Sequence, residues 1–187
     1  MFCRLLGFLL VWLLGHALAS PNHLRCKEKI ALILAGQAPP GSRVVFTKPE
    51  LDAFLNEEVL QLIPGSVTHA QLEFSQGRAA ATADVNLVKL LAARGVSPGW
   101  LFAKAFEGWR PVHASARLES GGGRAAVYLE KLEVSGLTIP NIVVDFLVRH
   151  FAQPYSPDIR LGEPFPLKHR IERLELTPVG FAVVLRR

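Results

Sequence analysis

Five histidines lie beyond residue 20, at His23, His69, His113, His150 and His169, and their scatter defines no ligand set by spacing. His69 and His113 fall on the polar or mixed sides of alternating runs and can meet across a sheet. A metal centre needs third and fourth ligands with supporting groups, and none is marked. Glu57 and Glu58 are adjacent on a helical pattern, while Glu130 and Glu133 are expected on opposite faces of a strand. Acid–base chemistry needs two carboxyls converging on one bond, so all four read as solvated charge. Gly121-Gly122-Gly123 can cradle an anion through backbone amides or simply turn a hairpin. The chain has no Gly-x-Ser-x-Gly elbow, phosphate-binding glycine loop, His-Glu-x-x-His or Cys-x-x-Cys. The expectation is a non-enzymatic protein with no metal and no cofactor.

The most distinctive segment is aromatic. Between Trp100 and Trp109 stand two tryptophans and two phenylalanines. On a helix starting near Pro98, Phe102, Ala105, Phe106 and Trp109 share a stripe, with Lys104 and Glu107 elsewhere. Such a stripe either belongs to the core or forms a lid or membrane-docking surface, for which tryptophan is suited because its apolar ring carries one N–H that can stay wet. Trp100, Phe102, Phe106 and Trp109 are the candidates for that second role.

These groups need a scaffold, and its compartment is written in the first twenty residues. Arg4, the apolar run Leu5 to Leu14 and Ala17-Leu18-Ala19 read as a secretory signal peptide covering 1–19, cleaved before Ser20. An apolar run of about ten residues is half of what a membrane span requires. Removal of Cys3 with this segment leaves Cys26 alone, so no internal disulfide is possible and a free thiol near a mobile N-terminus is expected. Removal of Arg4 leaves 20 Lys and Arg against 16 Asp and Glu, about +4, with no run of five like charges. Scattered charge argues against nucleic acid, whose partners cluster their basic residues. At 187 residues, half of them apolar, one domain of ordinary size is expected.

Residues 20–42 read as a leader with a short apolar helix from Ile30 to Ala35, stopped by Pro39-Pro40-Gly41. Arg43 to Phe46 is a β-branched run. Thr47, Pro49 and Glu50 then give the signature of a helix start. Leu51, Phe54, Leu55, Val59 and Leu62 recur at helical spacing over 48–62. The period changes to two at Ala70, Leu72 and Phe74, and again at Ala79, Ala81, Ala83, Val85 and Leu87, which predicts a hairpin with one apolar face. A helix is expected over Val88 to Arg94, and a second hairpin over Val112 to Val134. Another helix, Asn141 to Phe151, carries Ile142, Val143, Phe146, Leu147 and Phe151, and a last hairpin spans Ile171 to Leu185. Short turns between successive strands imply an antiparallel sheet, and helices must cover its apolar face, so the fold class is α+β over 43–187. Thr138-Ile139-Pro140 before Asp145-Phe146-Leu147 repeats the Thr47-Lys48-Pro49 and Asp52-Ala53-Phe54-Leu55 pattern, by duplication or because helix caps are alike.

The capped segment Thr47 to Asn56 before a long hairpin, with Gly136-Leu137-Thr138-Ile139-Pro140 leading into an apolar helix, resembles small bacterial exported proteins of the TULIP superfamily of tubular lipid-binding domains. The resemblance spans roughly residues 43–185 and departs from the family in the aromatic segment. It implies a strongly curved antiparallel sheet around a long helix, an apolar groove and a non-enzymatic role in binding acyl chains or other apolar ligands. Placed on this chain, the groove would be lined by Leu51, Phe54, Leu55, Leu72, Phe74, Phe102, Phe106, Ile142, Phe146 and Leu147. Two readings stay open: an envelope carrier or sensor of lipid-like ligands with peripheral membrane contact, or an envelope interaction module with the same fold and a filled core.

Overall fold

The computed structural model describes residues 20–93, 95–97, 99–139, 144 and 160–187. The signal-peptide reading therefore lies outside the described residues. So does the helix expected over 141–151, except for Val144, which is helical and buried.

The segment expected to be a loose leader is instead a helix, α1 (Pro21–Leu34). The Ser20 hydroxyl accepts from the His23 N–H, Pro21 occupies the first turn, and Gly36 closes the end at φ 67°. Its inward stripe is His23, Cys26, Ile30 and Ile33, at spacings of three and four. Strand β1 (Arg43–Thr47) follows, and then α2 (Lys48–Phe54), whose Glu50 carboxylate accepts from the Thr47 N–H at 2.9 Å as the capping pattern predicts. A π-helical turn, Leu55–Val59, and a 3-10 turn, Leu60–Leu62, continue α2 to the expected end.

The hairpin strands β2 (Val67–Ser75) and β3 (Arg78–Val85) lead to α3 (Leu87–Ala92) and α4 (Trp100–Ala105). Leu87 belongs to α3 rather than to the strand, because the Asn86 side chain accepts from the Lys89 N–H and caps a helix there. Strands β4 (Arg110–Gly121) and β5 (Arg124–Val134) form the long hairpin, β6 (Leu137–Thr138) and β7 (Phe165–Pro166) are short, and β8 (Ile171–Thr177) with β9 (Gly180–Leu185) end the chain.

The strands form two open antiparallel sheets, in the orders β1-β9-β8 and β2-β3-β4-β5-β6, with β7 also on β5. The fold is α+β. In the smaller sheet the final strand takes the centre, pairing Phe46 with Phe181 and Thr47 with Gly180. A Cβ at residue 180 would lie 2.2 Å from the Phe46 carbonyl oxygen at φ 146°, so this crossing admits only glycine. Cys26, Ile33, Ala38, Phe46, Val183 and Leu185 form the buried core between α1 and this sheet, with Leu51, Phe54, Leu174 and Phe181 packed around it.

The two sheets join where hairpin tips meet β8. Gly77 donates to the Leu176 carbonyl at 3.0 Å, Gly123 donates to the Glu172 carbonyl at 2.8 Å, and the Leu174 N–H reaches the Ser120 hydroxyl at 2.9 Å. The small module thus caps one end of the larger sheet. Val85 and Arg110, paired at the other end, bracket α3 and α4, which places the aromatic segment on the far rim.

Candidate functional site

Register fixes what the larger sheet presents. The pairs Leu72 with Ala81 and Phe74 with Ala79, Ala81 with Ala114, Ala83 with Val112, Ala114 with Leu132 and Val112 with Val134 lie on one side. That side is a continuous apolar surface across four strands, with alanine at its centre. Most of these residues are only half-buried; Val85 and Val134, near the far rim, are buried. Leu137, opposite Val134, is 67% exposed. Ala125, on the same side at the end near β8, is also buried, and between these ends the apolar face is neither sealed into a core nor left fully to solvent.

The opposite side is polar. Arg78 places its guanidinium 3.1 Å from Glu130, Arg117 stacks its own 4.4 Å from the Tyr128 ring, and Lys131 pairs with Glu133 at 2.9 Å. Glu130 and Glu133 were expected on opposite faces. A bulge between Ser115 and Ala116 on the partner strand's register inserts an extra residue in β5 and brings Glu130 to the side of Glu133. His69 and His113 do line one depression of about 310 Å³, with Asp84 and Glu133. His69 Nδ1 lies 3.0 Å from Asp84 Oδ2. Among the described residues no group of three His, Cys, Asp or Glu is placed to hold a metal ion. The glycine turn is a hairpin tip: Gly122 and Gly123 both have positive φ, and the Gly123 N–H is committed to Glu172, so this amide is not offered to an anion.

The candidate lining residues separate into two places. Leu72 and Phe74 are on the apolar sheet face, as expected. Leu51 and Phe54 are not with them. They pack on the small core and line an apolar cleft of about 210 Å³ together with Cys26, Ile30, Ile33, Leu34, Phe46, Phe181 and Val183. The polar side of the same helical segment explains this orientation. Asp52 accepts from the Leu72 N–H at 3.1 Å, and Asn56 donates to the Ala70 carbonyl at 3.1 Å, so α2 and the turn after it meet the β2 edge through polar groups while Leu51 and Phe54 turn to the small core. Leu55 is half-buried. Ile142, Phe146 and Leu147 lie outside the described residues.

At the rim, α4 is shorter than the stripe predicts and ends at Ala105, with Gly108 turning the chain at φ 78° before Trp109. Phe102 and Phe106 hold each other with centroids 4.6 Å apart and are half-buried. Trp100 is 78% exposed, Leu101 66% and Trp109 46%. Phe102 and Phe106 are half-buried and Ala105 and Trp109 exposed, so no residue of the stripe is in the buried core.

Sequence reasoning missed the ionic seam between α1 and the 48–59 segment. Glu50 is buried and receives Lys29 Nζ at 2.6 Å, which also donates to the Val45 carbonyl. Burial alone would raise the Glu50 carboxyl, but the Lys29 ammonium and the Thr47 N–H outweigh it and hold the group below its ordinary value. Glu57 and Glu58, expected to be solvated, do keep exposed side-chain surface and also face the start of α1. His23 Nε2 is 2.9 Å from Glu58, and Lys27 Nζ is also 2.9 Å from it. Cys26, expected near a mobile end, has no exposed surface, and burial followed by the Glu50 charge pushes its thiol up. The available signal is Ser20-Pro21, a cap followed by a first-turn proline.

Among the described residues no helix is long and apolar enough to cross a membrane. Neither a scan against protein-family models nor searches of curated proteins and of solved structures finds a match to this chain.

Proposed function

We propose that this chain is an exported, non-enzymatic envelope protein that carries or senses lipid-like ligands on the apolar face of the larger sheet. The observation that supports this most is that face itself: four strands of apolar side chains, mostly half-buried, with Ala79, Ala81, Ala83, Ala114 and Ala116 keeping the centre shallow. A core built to be filled favours large interlocking side chains. A row of alanines leaves height for a guest chain, each buried methylene of which gains roughly 0.8 kcal/mol. Selectivity should follow chain length more than headgroup. Trp100 and Leu101 on the rim helix, beside exposed Lys104, suit contact with a membrane surface during loading.

Native mass spectrometry of the exported protein, with extraction of co-purifying lipid and titration with fluorescent fatty acids and phospholipids, tests the proposal. Bound lipid or micromolar affinity is the expected result. No lipid and no binding would move the reading to an envelope interaction module with a filled core.

A further inference from the structure

We infer that cleavage between Ala19 and Ser20 creates a structural charge: the new α-ammonium of Ser20 pairs with Glu57 and fastens α1 to the π-helical turn after α2. The Ser20 nitrogen lies 3.1 Å from Glu57 Oε2. In the unprocessed chain this atom is a neutral amide with one hydrogen. An external peptidase adds water across the bond, the hydroxyl going to the Ala19 carbonyl carbon and hydrogen to the Ser20 nitrogen. The C–N bond breaks, leaving an Ala19 carboxylate and a protonated Ser20 amine with three donors.

The surroundings are arranged for that charge. Glu57 and Glu58 present two carboxylates to the start of α1, whose own first turn has no acidic residue. A positive group at a helix N-terminus is ordinarily disfavoured by the backbone dipoles, and carboxylates supplied from a neighbouring element offset this. The other nitrogen groups of the cluster are directed mainly to Glu58. Lys27 and His23 Nε2 each approach it at 2.9 Å, while His23 Nδ1 is 3.3 Å from Glu57 without an aligned hydrogen bond. Glu57 therefore lacks a full cationic partner among these contacts until the amine is charged.

A new chain end is normally free to wander, but this one is held. Pro21 confines the residue before it to extended conformations, Ser20 sits at ψ 146°, and its hydroxyl is tied to the His23 N–H at 3.2 Å. The nitrogen is thus aimed at Glu57 before it is charged. The consequence reaches the core, because His23 is followed on the same stripe by Cys26 and Ile33.

This inference rests on the processing part of the proposed function and not on ligand binding. The test expresses the full 187-residue chain in an exporting bacterial host and isolates the processed product, as wild type and as Glu57→Gln. Intact mass should place the first residue at Ser20. Acetylation of the α-amine near neutral pH, where it is selective over lysine, should lower the wild-type melting temperature by about 1–3 °C and that of E57Q by under about 1 °C. A product beginning elsewhere, an unshifted wild type or an equal shift in both proteins would overturn it. Lipid content measured on the same samples reads the carrier proposal separately.

Discussion

The two sheets of this protein are made of similar apolar residues and end up in different states. In the small module, α1 and α2 close over one face of β1-β9-β8, where Phe46, Val183 and Leu185 are buried, and Ala182 and Val184 on the other face of β9 are buried as well. On the larger sheet, Leu72, Phe74, Ala81, Val112, Ala114 and Leu132 remain half-exposed. Hydropathy alone does not distinguish these strands. What differs is the cover: a helix of fourteen residues with an inward stripe lies on one sheet, whereas α2 and the turn after it, which sequence patterning would send to the other, meet the edge of that sheet through Asp52 and Asn56 and send Leu51 and Phe54 to the small core. The comparison teaches that the closed core is concentrated in the small module, whereas the larger sheet keeps an apolar face that is mostly half-buried.

The comparison breaks first at Phe46. Phe46→Ala should destabilise the protein by about 3–5 kcal/mol in chemical denaturation, because it empties a closed core. Phe74→Ala should cost less than half as much while lowering lipid content. Equal losses would mean that both faces are sealed. Cys26 reports the same closure: an alkylating reagent should label it only upon unfolding.

Next is the seam that holds the cover in place. Glu50→Gln should cost about 1–3 kcal/mol, less than a fully dry pair because Lys29 keeps 29% of its side-chain surface exposed. The folded carboxyl is held below its ordinary value, so its contribution is present above the unfolded pKa and is lost as pH falls through the folded one. Denaturation curves from neutral to acidic pH should show E50Q converging on wild type. A constant gap would remove the ion pair from the account.

Identical enlargements sharpen the contrast further. Ala182→Leu, at a position 1% exposed, should destabilise by about 1–3 kcal/mol through overpacking. Ala81→Leu should change stability by under about 1 kcal/mol and instead reduce the amount of bound fatty acid several-fold. If Ala81→Leu unfolds the protein and Ala182→Leu does not, the assignment of core and groove is reversed. The smallest stability effect is expected at the rim, where Trp100→Ser should stay within about 0.5 kcal/mol of wild type yet weaken association with anionic vesicles in a flotation assay.

Local structure was legible because local structure has local causes. The start of α2 follows from a threonine, a proline and a glutamate within four residues, and the Thr47 to Glu50 hydrogen bond forms as those residues predict. Alternation gave β2, β3, β4, β5, β8 and β9 their places, since successive strand side chains must point to opposite faces. The sites were less legible. A stripe on 48–62 states that one side is buried but not against which sheet, and both sheets touch that helix. The Glu130 displacement depends on one extra residue in β5, which alternation does not reveal until a partner strand fixes the register.

By itself, then, the amino-acid order determined the α+β class, the hairpins, the helix caps and the glycine turns, all set by steric and hydrogen-bond rules acting over a few residues. Only the tertiary structure decided that Arg43 pairs with Val184, bringing the last strand to the centre of the first sheet. It also decided that Cys26 enters a core and that Leu51 and Phe54 leave the larger sheet for the smaller one. These outcomes depend on contacts between residues far apart in the chain, where closing the loop costs entropy and only the total burial of both partners decides whether the contact forms.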